Sequence, residues 1–248
     1  MEYFLDTVDT IPDGVGFFHY DGLHIIWLAI FAIATVLCCL WYRKAAPDKR
    51  VIWNKAVAIL IVLDEIFKMA MLTIGGRYTL GYLPLHLCSI NIFIIAIHAW
   101  KPNKTIGSFL YTVCIPGALA ALLFPTWSKL PLGNFMHIHS FTVHALLAMY
   151  PIVLAVNGQI EVRIKHVPKC LLMLLCMAVP IFIFNLIFDT NFMFLMEAEA
   201  GNPLYLFEQM WGNHLYGFPI IIAAIIVVMY VPVELIRKVK TRKSKQTI

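Results

Sequence analysis

The sequence predicts an all-α membrane protein, one bundle of seven transmembrane helices with its N-terminus outside and its C-terminus in the cytoplasm. Three observations lead there. Of the 248 residues, 61% are apolar and only 13% charged, against about 45–50% and about 25% in a soluble domain. Seven apolar segments approach the roughly 20 residues that cross a bilayer. The basic residues alternate from one connection to the next. This composition excludes an ordinary soluble enzyme, a disordered chain and a nucleic-acid binder; the expected partners are membrane lipids, and the sequence is silent on oligomeric state.

Residues 1–22 form an acidic extracellular segment with Glu2, Asp6, Asp9, Asp13 and Asp21. A secretory signal needs a basic start, so the first apolar segment is expected to stay in the mature protein. The seven spans lie near residues 23–42, 52–73, 83–100, 106–124, 137–156, 167–188 and 215–236, within a single domain, 23–236. Each must be helical, because backbone polar groups in lipid have to be satisfied within the segment. Pro116-Gly117 and Pro180 read as kinks. The first connection carries Arg43, Lys44, Lys49, Arg50 and Lys55, the third Lys101 and Lys104, the fifth Arg163, Lys165 and Lys169, and the tail, 237–248, six more. Sixteen of the nineteen basic residues thus fall on one side, which sets the orientation. The connection 189–213 is long and apolar enough to lie on the outer surface or fold back as a lid.

The six cysteines lie in or beside apolar segments, and no CxxC or Cys/His zinc spacing occurs. No disulfide, metal or cofactor is expected.

Ionisable groups inside a bilayer are costly and face the bundle interior. In this topology Cys88 lies about 8 Å below the outer end of the third span, with His86 shallower and Asn91 deeper. His137, His139 and His144 occupy the outermost ~11 Å of the fifth span. Asp64, Glu65 and Lys68 fall in the outer half of the second, Asn185 near the outer end of the sixth, and His214 at the start of the seventh. The inner half is close to purely apolar apart from His98 and cysteines near the inner ends. Polar residues gathered at one depth read as a polar cavity open to the outer leaflet or to the outside. Asp64 and Lys68, at i and i+4, can form an ion pair. Cys88 shares a helix face with Asn91, while His86 points nearly opposite; His137 and His144 share a face from which His139 is rotated. A thiolate can attack an acyl carbonyl while a nearby imidazole shuttles the proton, and the spacing leaves open which histidine serves. A lone cysteine in a helix is more often a small hydrophobe.

The ordered motifs LPLHLCSI (83–90), GALAALLFP (117–125), HIHSFTVH (137–144) and NFMFL…NPL (191–204) resemble the YwaF family of bacterial integral membrane proteins. That family is similar to a mammalian seven-helix acyltransferase that remodels phospholipids through a cysteine. It is more distantly similar to the androgen-induced membrane hydrolases, which use Thr and His. The resemblance implies a plasma-membrane lipid acyltransferase or hydrolase with Cys88 as nucleophile and His144 or His139 as base. His139-Ser140 looks like the hydrolases' His-Thr pair. Asn91, Asn185 or His86 would serve as oxyanion donor, and His137, His214, Asp64, Glu65 and Lys68 would line the substrate site. Phe124-Pro125-Thr126 departs from the family's Thr-Pro at the end of the fourth span. The competing reading is a transporter or proton-coupled carrier using Asp64, Glu65, Lys68 and the histidines. Transporter sites sit near the midplane, and the apolar inner half offers no inward path. The seventh span has no lysine, which excludes a retinal Schiff base there.

Overall fold

The computed structural model describes residues 3–199 and 202–246, and all of its regular structure is helical. Eight helices follow in order: α1 (Gly22–Lys44), α2 (Pro47–Ile74), α3 (Leu87–Trp100), α4 (Lys104–Leu123), α5 (Phe135–Val156), α6 (Val167–Phe188), α7 (Pro203–Trp211) and α8 (Gly217–Gln246). Among the described residues there is no strand.

Five of these helices, α1, α4, α5, α6 and α8 with their flanking turns, are long and apolar enough to cross a membrane. The other two expected spans differ for separate reasons. α2 has the length but carries Asp64, Glu65 and Lys68 close together. α3 has only 14 residues, about 21 Å of rise against a hydrocarbon core of about 30 Å. It begins at Leu87, not at residue 83, because Pro84 forces Leu83 into extended backbone (φ −56°, ψ 147°).

α4 and α5 are the buried centre, and α1, α6 and α8 turn most of their surface outward. Tyr150, Leu147 and Val143 of α5 meet Leu110, Val113 and Cys114 of α4 and Ile92 and Ile95 of α3 in the main core. α4 widens into a π-turn over Leu110–Cys114 just before Pro116. A proline at this point has no N–H to return to the preceding turn, and the wider turn absorbs the mismatch. α7 was not expected; it lies within the long connection, capped by Asn202, whose side chain accepts from Leu204 N–H. α8 runs on to Gln246, so the helix continues into the basic tail; side chains of 238–248 lie outside the described residues.

One end of the bundle carries the acidic N-terminal segment, the other the basic connections. The segment is packed on the bundle. Asn134 Nδ2 donates to the carbonyls of Tyr3 and Asp6, at 2.6 and 2.8 Å. Phe17 N–H donates to Ser128 O at 2.8 Å, and a Cβ on Gly16 would collide with that same carbonyl. Ile11 and Phe17 join Leu122, Trp127, Leu130 and Phe141 in a second core. Asp13 pairs with Lys129 at 2.8 Å and Asp6 with Arg77 at 3.2 Å. The Lys129 ammonium holds the Asp13 carboxyl below its usual range.

The basic half is less apolar than expected. Thr112 donates to Ser108 O and accepts from Tyr230 OH at 2.5 Å. Ser108 bonds to His166, and Tyr111 donates to Met229 O. Hydroxyls escape a search for ionisable groups, yet this seam fixes α4 to α8.

Candidate functional site

Because α3 starts at Leu87, Cys88 occupies its second position rather than a point five residues down a helix. His86 is the N-cap residue, and its side chain does not cap the first turn. The opening N–H groups of α3 are therefore left without a side-chain acceptor, next to the thiol. The positive end of the helix dipole favours an anion there. Cys88 packs in the main core with Leu87 and Ile90. All six cysteines are free thiols.

His86 turns away from Cys88. Its Nδ1 accepts from Met193 N–H at 3.3 Å, and its ring meets Phe192 and Phe194. The long connection thus folds back onto the start of α3. Asn185 anchors it from α6, donating to Phe192 O and accepting from Phe192 N–H and Thr190 Oγ1. His214 donates through Nε2 to Phe194 O at 3.0 Å. Met193 and Phe194 hold φ of 60° and 54°, a conformation that costs an L-residue energy and persists only where its surroundings enforce it. Asn185 and His214 are therefore engaged in holding this loop.

The three histidines of α5 separate by face. His137 is fully buried; its Nδ1 donates to Leu130 O at 2.9 Å and its Nε2 accepts from Trp27 Nε1 at 3.0 Å. Both nitrogens are spent, one on joining α1 to α5 and the other on the connection that precedes α5. His139 faces α2, with Nδ1 2.8 Å from Asp64 Oδ2 and Nε2 3.9 Å from Glu65 Oε2. The shorter contact lacks hydrogen-bond alignment, and both its atoms are buried without a hydrogen-bond partner. Lys68 pairs with Glu65 at 2.5 Å, i to i+3, and not with Asp64 as its i+4 spacing suggested. The reason is rotational: Asp64 is drawn out of line toward His139. Glu65, Lys68 and His139 are each at least 94% buried.

Among the described residues only one nitrogen of His144 is hydrogen-bonded. A carbonyl only accepts, so the 2.6 Å bond to Ser140 O places the proton on Nδ1. Nε2 then carries the lone pair. Trp127 stacks on the ring at 5.1 Å and 9°. The depth of His144 relative to Cys88 follows from the His98–Tyr150 hydrogen bond, 3.0 Å, between α3 and α5. Ten residues back along each helix stand Cys88 and Ser140. His144 is one turn below Ser140, about 6 Å along the axis. α4 packs in the same core, where Cys114 lies with Cys88 and donates to Leu147 O at 3.3 Å. Among the described residues no hydrogen bond joins Cys88 to an imidazole.

Among the described residues three further buried atoms lack a hydrogen-bond partner, one of them Thr35 Oγ1 on α1. Trp127 Nε1 is a buried donor with no acceptor and Asn91 Oδ1 a buried acceptor with no donor. By the same count from His98, Asn91 stands at the depth of Val143. Unpaired buried polar atoms are expensive, and one of these, Trp127 Nε1, belongs to the ring stacked on His144. Trp127 escaped the sequence reading because a tryptophan near a span end ordinarily signals the membrane interface.

The model of the TMEM164 family matches residues 19–230, which takes in every side chain placed in this candidate site. No curated protein and no solved structure matches the chain. The chain belongs to the TMEM164 family of membrane proteins.

Proposed function

We propose that this TMEM164-family protein transfers an acyl chain from a membrane phospholipid through a thioester on Cys88, in a site facing the outer leaflet. The observation that supports this best is the presence, on helices of one core, of a thiol at an uncapped helix start and an imidazole with no hydrogen bond to Nε2 among the described residues. His144 Nε2 takes the Cys88 proton as sulfur attacks the ester carbonyl. The tetrahedral oxyanion is met by the opening N–H groups of α3 and by Trp127 Nε1–H. As it collapses, the C–O bond breaks and His144 returns the proton to the leaving lysophospholipid hydroxyl. An acceptor hydroxyl, or water in a hydrolase, then attacks the thioester with His144 again as base, and the thiol is restored. His139, tied to Asp64, is a positioning residue in this scheme. The acyltransferase seen through the resemblance to the YwaF motifs is in keeping with these roles.

A carrier would use Asp64, Glu65, Lys68 and His139, but these charges face one another at one end of the bundle. The test is transfer of a radiolabelled acyl chain from phosphatidylcholine to a lysophospholipid in proteoliposomes. Wild-type protein should transfer it and Cys88→Ala should not; equal rates would overturn the reading.

A further inference from the structure

At the opposite, basic end of the bundle, away from Cys88, a cleft of about 480 Å³ is lined by Arg43, Arg50, Val156, Asn157 and Gly158. We propose that this cleft binds the phosphate of an anionic lipid headgroup, with Arg50 as a fixed ligand and Arg43 as a mobile one. The inference is independent of the proposed acyl transfer.

Basic residues at this end have an ordinary role as topology signals, which requires charge but no fixed geometry. Arg50 is different. Its Nε donates to Ala45 O at 2.9 Å and its Nη2 to Arg43 O at 3.1 Å. Its guanidinium also lies 5.3 Å over the buried ring of Tyr42, a cation–π contact. Tyr42 is in turn fixed by its hydroxyl bond to Asn54. The planar group is therefore held in place, with Nη1 unbonded to protein among the described residues. A preset guanidinium suits a phosphate oxygen because little side-chain freedom is left to lose on binding.

Arg43, at the end of α1, is exposed and lines the same cleft. No carboxylate lines it. Glu161, in the adjoining connection, is occupied by Arg163 at 2.9 Å and Lys104 at 3.7 Å. Two cations without a counter-charge favour a headgroup that lacks its own ammonium. Exposed Val156 on the cleft and exposed Trp41 and Trp100 at the same end offer an apolar wall at the level where aromatic residues meet the membrane interface. Lipid chains can lie along that wall while the phosphate enters.

The experiment is native mass spectrometry of the full chain in an uncharged detergent, titrated with phosphatidylglycerol, phosphatidylcholine or inorganic phosphate. Wild type should retain one phosphatidylglycerol, at least tenfold more tightly than phosphatidylcholine. Arg43→Gln, whose guanidinium holds no backbone, should weaken retention several-fold, and Arg43→Gln/Arg50→Lys at least tenfold. Lys44→Gln, a neighbouring charge off the cleft, should leave it unchanged. Thermal unfolding in the same detergent identifies any variant that fails to fold, and Arg43→Gln then carries the test alone. Inorganic phosphate that displaces the lipid at millimolar concentration would place recognition in the phosphate itself; absence of displacement would assign it to the whole lipid. Equal losses in Arg43→Gln and Lys44→Gln, or no preference over phosphatidylcholine, would overturn the site.

Discussion

Three side chains carry the proposed chemistry, and each supports a separate substitution. His144→Gln removes the base and should lower kcat for acyl transfer by about 10²–10⁴-fold. Trp127→Phe keeps a ring on His144 but removes the unpaired N–H. It should lower kcat about 10²-fold with KM little changed, read by steady-state kinetics in the transfer assay; an unchanged kcat would leave the indole as packing. Cys88 and the α5 histidines were legible from the sequence because ionisable and nucleophilic groups in lipid are conspicuous. Their division of labour was not, since each role depends on what the ring nitrogens touch. His137 gives both to Leu130 and Trp27. His144 gives one to Ser140. Neither partner can be read from spacing.

At the scale of elements, the α2–α5 contact rests on a buried charge cluster. Glu65→Ala would leave Lys68 unpaired in the core and should destabilise the protein by about 3–5 kcal/mol. Glu65→Met/Lys68→Met removes both charges and should recover most of that loss, as measured by thermal or denaturant unfolding in detergent. Additive losses would mean that the pair is not coupled. The N-terminal segment is set by a close backbone approach. Gly16→Ala meets Ser128 O directly and should release the segment, seen as faster protease cleavage within residues 3–21 while the bundle stays folded. Periodicity and apolar run length predicted the long helices well. They missed the late start of α3, where Pro84 overrides an apolar run, and α7, too short for a span search to notice.

For the molecule as a whole, the multi-pass helical bundle was plain from composition, and α1, α4, α5, α6 and α8 meet the length and hydropathy of a span. α2 meets it less well because it carries Asp64, Glu65 and Lys68, and α3 because it is only 14 residues long. The charge asymmetry predicts an outside N-terminus. In a variant lacking the native cysteines, Asp9→Cys should react with an impermeant maleimide in intact cells and Lys240→Cys only after permeabilisation; the reverse pattern would invert the topology. The account depends most on acyl occupancy of Cys88. Intact-mass measurement of the purified protein, incubated with phosphatidylcholine and quenched in acid, should show an added acyl chain. Hydroxylamine should remove it, Cys88→Ala should lack it, and His144→Gln should accumulate it far more slowly. A correctly folded wild-type protein with no adduct on Cys88 under turnover, or an adduct that survives Cys88→Ala, would contradict the account.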